Sequence, residues 1–299
     1  MLQEFDSKNR NLLINVNGKL LHRNEARISP FDSVVQGGDA VWEGLRVYSG
    51  RVFGLTAHLE RLRRSAKALS FETLPSNDEI IHEIRRTLEA NAMHDNVHIR
   101  VTLTRGEKIT SGMDPRLNQS GPTLIVLAEH KPPVYDKSGL TLITSSVQRF
   151  PPECLDAKIH HNNLLQSILA KIEANNAGAD DAIMLDKNGF VAETNATNLF
   201  LVVHEHLATP RTVACPEGIT RQSVLNICQE KDISCEVRDI PLSEFHSADE
   251  VFCTGTMGEI AAITKIDERI IGTGKPGEIT ARVSDWLRDK IDAEAEPVL

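Results

Sequence analysis

Three lysines, Lys158, Lys171 and Lys187, lie in the stretch from Asp156 to Val202. Lysine is a residue type that can attack a carbonyl covalently once it loses its proton, and spacing alone does not choose among the three. The same stretch carries a knot of hydrogen-bonding side chains, Glu193-Thr194-Asn195-Ala196-Thr197-Asn198, between two apolar runs. Farther on, Gly218-Ile219-Thr220 sits at a predicted helix N-terminus, where unpaired N–H groups and the helix dipole favour an anion. Thr254-Gly255-Thr256 follows a predicted strand over 250–253 and offers hydroxyls and N–H groups at its end. Together these turns suit a phosphate held without a metal. Arg61 and Arg64 both lie off the apolar face of a predicted helix, and either would add a bidentate cation.

Other chemistries fit less well. His160-His161 and His204-Glu205-His206 lack the i, i+4 spacing and the cysteine partners of a metal site, so no metal is expected. There is no GxSxG nucleophile turn, no GxGxxG and no P-loop. The 299 residues allow one large domain or two ordinary ones. Apolar runs are far short of a membrane span, and the start MLQEFDSKNR is polar, so a cytoplasmic protein is expected. Five cysteines without a CxxC pair read as reduced. A formal charge of −9 argues against a nucleic-acid partner.

The elements that must position these residues follow from local signals. Alternation around Asn17-Gly18 and around Ser49-Gly50 predicts two hairpins. Thr56 is expected to cap a helix reaching Ser70, and Ser76-Asn77-Asp78-Glu79 is a capping box for a second. VHIRVTLTRG and GPTLIVLAEH read as strands, completing an α+β first domain over 1–130. Lys131-Pro132-Pro133 marks a linker over 131–138, and 139–299 forms a second, larger α+β domain. In it, a helix is expected over 161–177, strands at DAIMLD and TNLFLVV around a turn at Lys187-Asn188-Gly189, and a last helix from Pro276 to Ala293.

The order Arg61 in HLERL, Lys158, Glu193 in ETNATNLF, Gly218-Ile219-Thr220-Arg221 and Thr254-Gly255-Thr256 resembles the class IV, or fold type IV, pyridoxal-phosphate aminotransferases. The likeness runs from about Gly18 to Ile266. It implies the family's two-domain α+β fold, with the cofactor at the domain interface, and a homodimer. It also implies that Lys158 carries pyridoxal 5'-phosphate covalently and moves the substrate's α-proton, while Glu193 meets the pyridine nitrogen. Arg61, Ile219, Thr220 and Thr256 match the phosphate cup, and Asn198 matches a polar position beside the ring. Lys171 and Lys187 do not stand in the motif position.

On the substrate side, Trp42-Glu43-Gly44-Leu45-Arg46 resembles the aromatic-Glu-Gly-Ile/Leu-Arg stretch of branched-chain enzymes. Gly37, His98 and Asn163 stand where that group has tyrosines, the last in its KxxGNY pattern; Thr104-Arg105-Gly106 is similar to the TRG of D-amino-acid enzymes. The resemblance thus implies a transaminase acting on an amino acid and a 2-oxo acid, branched-chain-like. D-amino-acid or (R)-amine transamination, and an aminodeoxychorismate-lyase-like elimination, are the alternatives. Arg100, with the backbone around Thr256-Met257, is expected to hold the substrate carboxylate and Trp42 and Val41 to line the side-chain pocket, with His98 also among the substrate-binding residues.

Overall fold

Residues that tolerate positive φ begin the fold by reversing the chain. Asn17 and Gly18 (φ 49° and 76°) close the hairpin between β1 (Leu13–Val16) and β2 (Lys19–His22). After a short α1 (Ser33–Gly37), Ser49 and Gly50 (φ 49° and 77°) join β3 (Ala40–Tyr48) to β4 (Arg51–Val52). α2 (Leu55–Ala68) and α3 (Asn77–Ala90) follow, the second opened by the expected capping box: Ser76 Oγ accepts from Glu79 N while the Glu79 carboxylate accepts from Ser76 N. Then come β5 (Val97–Thr104) and β6 (Thr123–His130). These elements belong to one compact unit of residues 4–132, to which Ile159–Asn163 and Glu294–Leu299 also belong. Its strands, with β16 (Glu296–Pro297) at the far end of the chain, form a sheet in the order β16-β4-β3-β5-β6-β1-β2.

The computed structural model describes residues 4–133, 135 and 138–299. Residues 1–3 of the expected first domain and residues 134, 136 and 137 of the expected linker lie outside the described residues. The second unit contains Pro133, Tyr135, 138–158 and Leu164–Ala293. In chain order its elements are β7 (Leu140–Thr144), α4 (Leu165–Asn176), β8 (Asp181–Leu185), β9 (Val191–Thr194), β10 (Asn198–Val203), β11 (His206–Pro210) and α5 (Ile219–Glu230). β12 (Cys235–Arg238), α6 (Leu242–Ser247), β13 (Glu250–Gly255), β14 (Glu259–Ile266), β15 (Arg269–Ile270) and α7 (Glu278–Glu294) complete it. The sheet runs β12-β11-β10-β13-β14-β7-β8-β9, with β15 paired to β14. Among the described residues no helix is long and apolar enough to cross a membrane, and no cluster of His, Cys, Asp or Glu could hold a metal ion.

Each unit has its own apolar core. In the first, Leu59 and Leu62 of α2 and Ile80, Ile84 and Leu88 of α3 pack with Val41, Leu45, Val47, Ile99 and Val101 of the sheet. In the second, Leu199, Leu201, Val251, Cys253, Ala261 and Ile263 pack with Phe245 and Ile240. Two local expectations are corrected. The helix expected from 161 begins at Leu165, because the residues before it pair with β3 instead: Trp42 N donates to His160 O (3.0 Å) and Asn162 N to Ala40 O (2.9 Å). Thr56 does not cap α2 with its own side chain. The N-cap is Gly54, without a side-chain hydrogen bond, and the Glu296 carboxylate accepts from Thr56 N (3.0 Å) and Thr56 Oγ1.

A carboxylate arriving from 240 residues away thus satisfies a helix start that would otherwise need water. Glu296→Ala should lower stability by about 1 kcal/mol, the usual worth of a helix cap, read as a lower urea midpoint at unchanged slope.

Candidate active site

Strand pairing on the first unit's sheet sets one polar face. β3 and β5 place Trp42 opposite Thr102, Gly44 opposite Arg100 and Arg46 opposite His98. Successive strand residues point to opposite faces, so Trp42, Arg46, His98 and Arg100 share a face while Val41, Glu43, Leu45 and Val47 point into the core. Arg100 Nη2 donates to Asn162 Oδ1 (2.7 Å), and the guanidinium carbon lies 3.9 Å from the centroid of the Trp42 ring. Burial lowers its pKa. Trp42 is fixed in turn, its ring stacked 4.4 Å from His160 and Nε1 donating to His161 O (3.1 Å). Burial, helped by Lys131, Arg100 and Arg46, pushes His98 down to about 3, so its imidazole is neutral at working pH.

On the core side, Glu43 is 0% exposed and takes Arg61 bidentately, Nε to Oε1 at 2.8 Å and Nη2 to Oε2 at 2.7 Å. His58 Nδ1 lies 2.6 Å from Oε2 and His160 Nδ1 3.2 Å from Oε1. Periodicity leaves Arg61 and Arg64 open. In the structure Arg61 is the buried one, 7% exposed.

In the second unit the polar knot is a turn built on Thr194. Its Oγ1 accepts from Thr197 N (2.9 Å) and Ala196 N (3.2 Å), and Thr194 N donates to Thr197 O (2.8 Å). The turn ties β9 to β10 and leaves Glu193 buried, 3% exposed. Glu193 Oε1 is 2.5 Å from Arg149 Nη2, yet the two are not aligned as a hydrogen bond, and this oxygen has no donor. Arg149 instead donates to the carbonyls of Thr194 and Asn195 (both 3.3 Å). Burial pushes Glu193 up to about 7; Arg149 opposes this and Asp181 adds to it.

Asn198 joins this turn to the start of α5. Its Nδ2 donates to Pro216 O (3.3 Å), and Oδ1 comes so close to Gly218 that a Cβ there would lie 2.1 Å away. Only glycine fits. Gly218 is also the N-cap of α5 and brings no side chain of its own to cap the first turn at Ile219 and Thr220. Asn198 pairs with Thr254 across β10 and β13, and Gly255 packs against Thr197, which brings the Thr254-Gly255-Thr256 turn to the same place. Thr254 Oγ1 is buried without a partner. Met257 follows in the turn to β14. Lys158 is half-exposed, with Nζ 3.3 Å from Glu217 Oε1, the residue just before Gly218. Lys171 donates to Asp180 O and Lys187 pairs with Glu153.

Polar residues widely separated in sequence thus gather in the second unit: Glu193, Asn198, Thr254–Thr256, the α5 start and Lys158. Arg61, Trp42, His98 and Arg100 all lie in the first unit. Several partners carry no local motif. Glu43 has a signal, since alternation in VWEGLRV puts it among Val41, Leu45 and Val47 on the buried side. Arg149, Asn162 and Glu217 have none, because their roles come from contacts across long loops.

The two sheets with their helices form an α+β scaffold, and one of the two units carries a lysine and a buried acid. The family described as Amino-transferase class IV matches residues 40–266, and the chain belongs to that family. A branched-chain-amino-acid aminotransferase-like protein 2 of Arabidopsis thaliana is 54% identical over 292 residues, covering 97% of this chain and 52% of that protein. A putative branched-chain-amino-acid aminotransferase of Methanocaldococcus jannaschii is 38% identical over 277 residues, 92% of this chain and 95% of it. A solved T.th. branched-chain amino acid aminotransferase, complexed with N-(5'-phosphopyridoxyl)-L-glutamate, superposes with a TM-score of 0.89 at 31% identity, over 97% of this chain and 99% of that one. The chain spans about half the length of the two Arabidopsis relatives it matches.

Glu193 generates a pH prediction for the cofactor-free protein. Its folded pKa is raised from 4.5 to about 7, so between those values the folded chain keeps a proton that the unfolded chain has lost. Stability therefore falls as pH rises through that window and levels off above it. Glu193→Gln should remove this decline; urea midpoints at pH 5 and pH 7.5 that fall equally in both proteins would show that Glu193 does not cause it.

Proposed function

We propose that the chain is a pyridoxal 5'-phosphate-dependent transaminase moving an amino group between a branched-chain amino acid and a 2-oxo acid. The observation that carries this is the buried Glu193 oxygen without a hydrogen-bond donor among the described residues, in the unit where α5 starts at Gly218 against Asn198. A protonated ring nitrogen would satisfy that oxygen, and a phosphate would satisfy the helix start, so the residues present fit the cofactor. The family pattern then gives Lys158 as the covalent lysine, Glu193 as the ring-nitrogen partner and Arg61, Ile219, Thr220 and Thr256 as the phosphate ligands, with Asn198 shaping the strand.

Bound, the cofactor supplies an electron sink for breaking the substrate's α C–H bond. Glu193, ionised against a cationic N–H, keeps the proton on the ring nitrogen. The Lys158 amine, once free, takes the proton from the α-carbon as base and returns it as acid. Arg100 meets the substrate carboxylate: it is half-buried, and its partners are a neutral amide and the Trp42 ring. Trp42 lines the side-chain pocket with His98 beside it, and the backbone at Met257 is assigned to the carboxylate with Arg100; a neutral His98 adds no charge to that pocket.

The chain loaded with pyridoxal phosphate should lose its long-wavelength absorbance on mixing with L-leucine and recover it with a 2-oxo acid. A response to D-alanine or an (R)-amine, with none to L-leucine, would overturn the branched-chain assignment. Failure of any oxo acid to restore the absorbance would favour elimination.

The five cysteines are all unpaired, which suits a reducing compartment such as the cytoplasm. A homodimer is supported by α4, where Leu165, Ile168, Leu169 and Ile172 form an apolar stripe left 47–72% exposed. Sedimentation should give twice the chain mass, and Ile168→Glu should lower it toward the monomer.

A further inference from the structure

Glu43 is a hub that the reaction scheme above leaves without a task. Three elements meet at its carboxylate: β3 carries it, α2 brings His58 and Arg61, and the segment after Lys158 brings His160. Burial pushes the Glu43 carboxyl up, but His160 and Arg61 more than offset this and hold it well below the usual carboxylate range. Glu43 is therefore an anion and Arg61 its cation. Burial holds His160 below the usual histidine range against the pull of Glu43, so its ring is a neutral donor through Nδ1.

His160 is tied to α2 by its backbone and to β3 by its ring. Its backbone N donates to Ser65 Oγ (3.0 Å), and Ser65 stands four residues, about one helical turn, after Arg61. Its ring also stacks on Trp42. The KxxGNY pattern leaves position 160 open, so histidine there belongs to this chain's own solution. With Nε and Nη2 of Arg61 both committed to Glu43, the plane of the guanidinium follows the carboxylate, and the carboxylate is held by the two imidazoles.

We propose that His160 is a positioning residue for the cofactor's phosphate: by holding Glu43 it orients the Arg61 guanidinium, so that phosphate affinity depends on the segment directly after Lys158. This rests on the assignment of Arg61 to the phosphate. The consequence is specific to one group of the cofactor. Losing the Nδ1 donor frees Glu43 to tilt and takes Arg61 with it, weakening what binds phosphate and leaving what binds the ring.

The test compares dissociation constants of pyridoxal phosphate and of pyridoxal, which lacks the phosphate, on the cofactor-stripped full chain. His160→Leu should weaken pyridoxal phosphate about tenfold, the worth of one hydrogen bond to a charged group, and leave pyridoxal unchanged. His160→Asn, whose amide N–H can replace Nδ1–H, should restore the wild-type ratio. If His160→Leu fails to fold, judged by thermal unfolding, His160→Ala is read in the same way. Arg61→Met separates the two claims. A reduced ratio in Arg61→Met with a wild-type ratio in both His160→Leu and His160→Ala overturns the role of His160 alone. A wild-type ratio in Arg61→Met overturns the phosphate assignment of Arg61 and the inference with it.

Discussion

Burying a carboxylate in a protein interior costs several kcal/mol unless donors replace the lost water, and the polar architecture of this chain follows from how it treats two such groups. Glu43 is given everything: a bidentate guanidinium and two imidazoles. Glu193 is buried beside a single guanidinium, and desolvation outweighs that charge and raises its pKa. The first is a structural anchor whose charge is closed off. The second keeps a carboxyl that another cationic N–H would stabilise as an anion, the role proposed for a ring nitrogen.

Glu193 stays in this desolvated position because the backbone around it is held from several sides. The Thr194–Thr197 turn fixes the strand end, and Asn198 is locked between Thr254 across the sheet and Gly218 at the helix start. Arg149, paired with Glu193, is itself held by two of the turn's carbonyls. The same close packing admits only a very close approach of Asn198 to Gly218 at the start of α5. Desolvation of Glu193 and this close approach are thus products of one packed junction.

What can be read from sequence is what depends on neighbours in sequence. The hairpins at Asn17-Gly18 and Ser49-Gly50 and the Ser76 capping box need only local φ values and short hydrogen bonds, and they form as expected. The start of α4 and the cap of α2 cannot be read in this way. Residues 159–163 are drawn into pairing with β3, and Glu296 reaches Thr56 from the other end of the chain. The site divides along the same line. Motif order brings out Lys158, Glu193 and the glycine-threonine turns, and alternation exposes Glu43. Arg149 and His160 take their roles from contacts that no periodicity announces.

Covalent attachment of the cofactor at Lys158 is the statement on which the proposed chemistry stands. Protein loaded with pyridoxal phosphate, reduced with borohydride and cut into peptides should carry the pyridoxyl label on the peptide containing Lys158. Label on Lys171 or Lys187, or none at all, would contradict it.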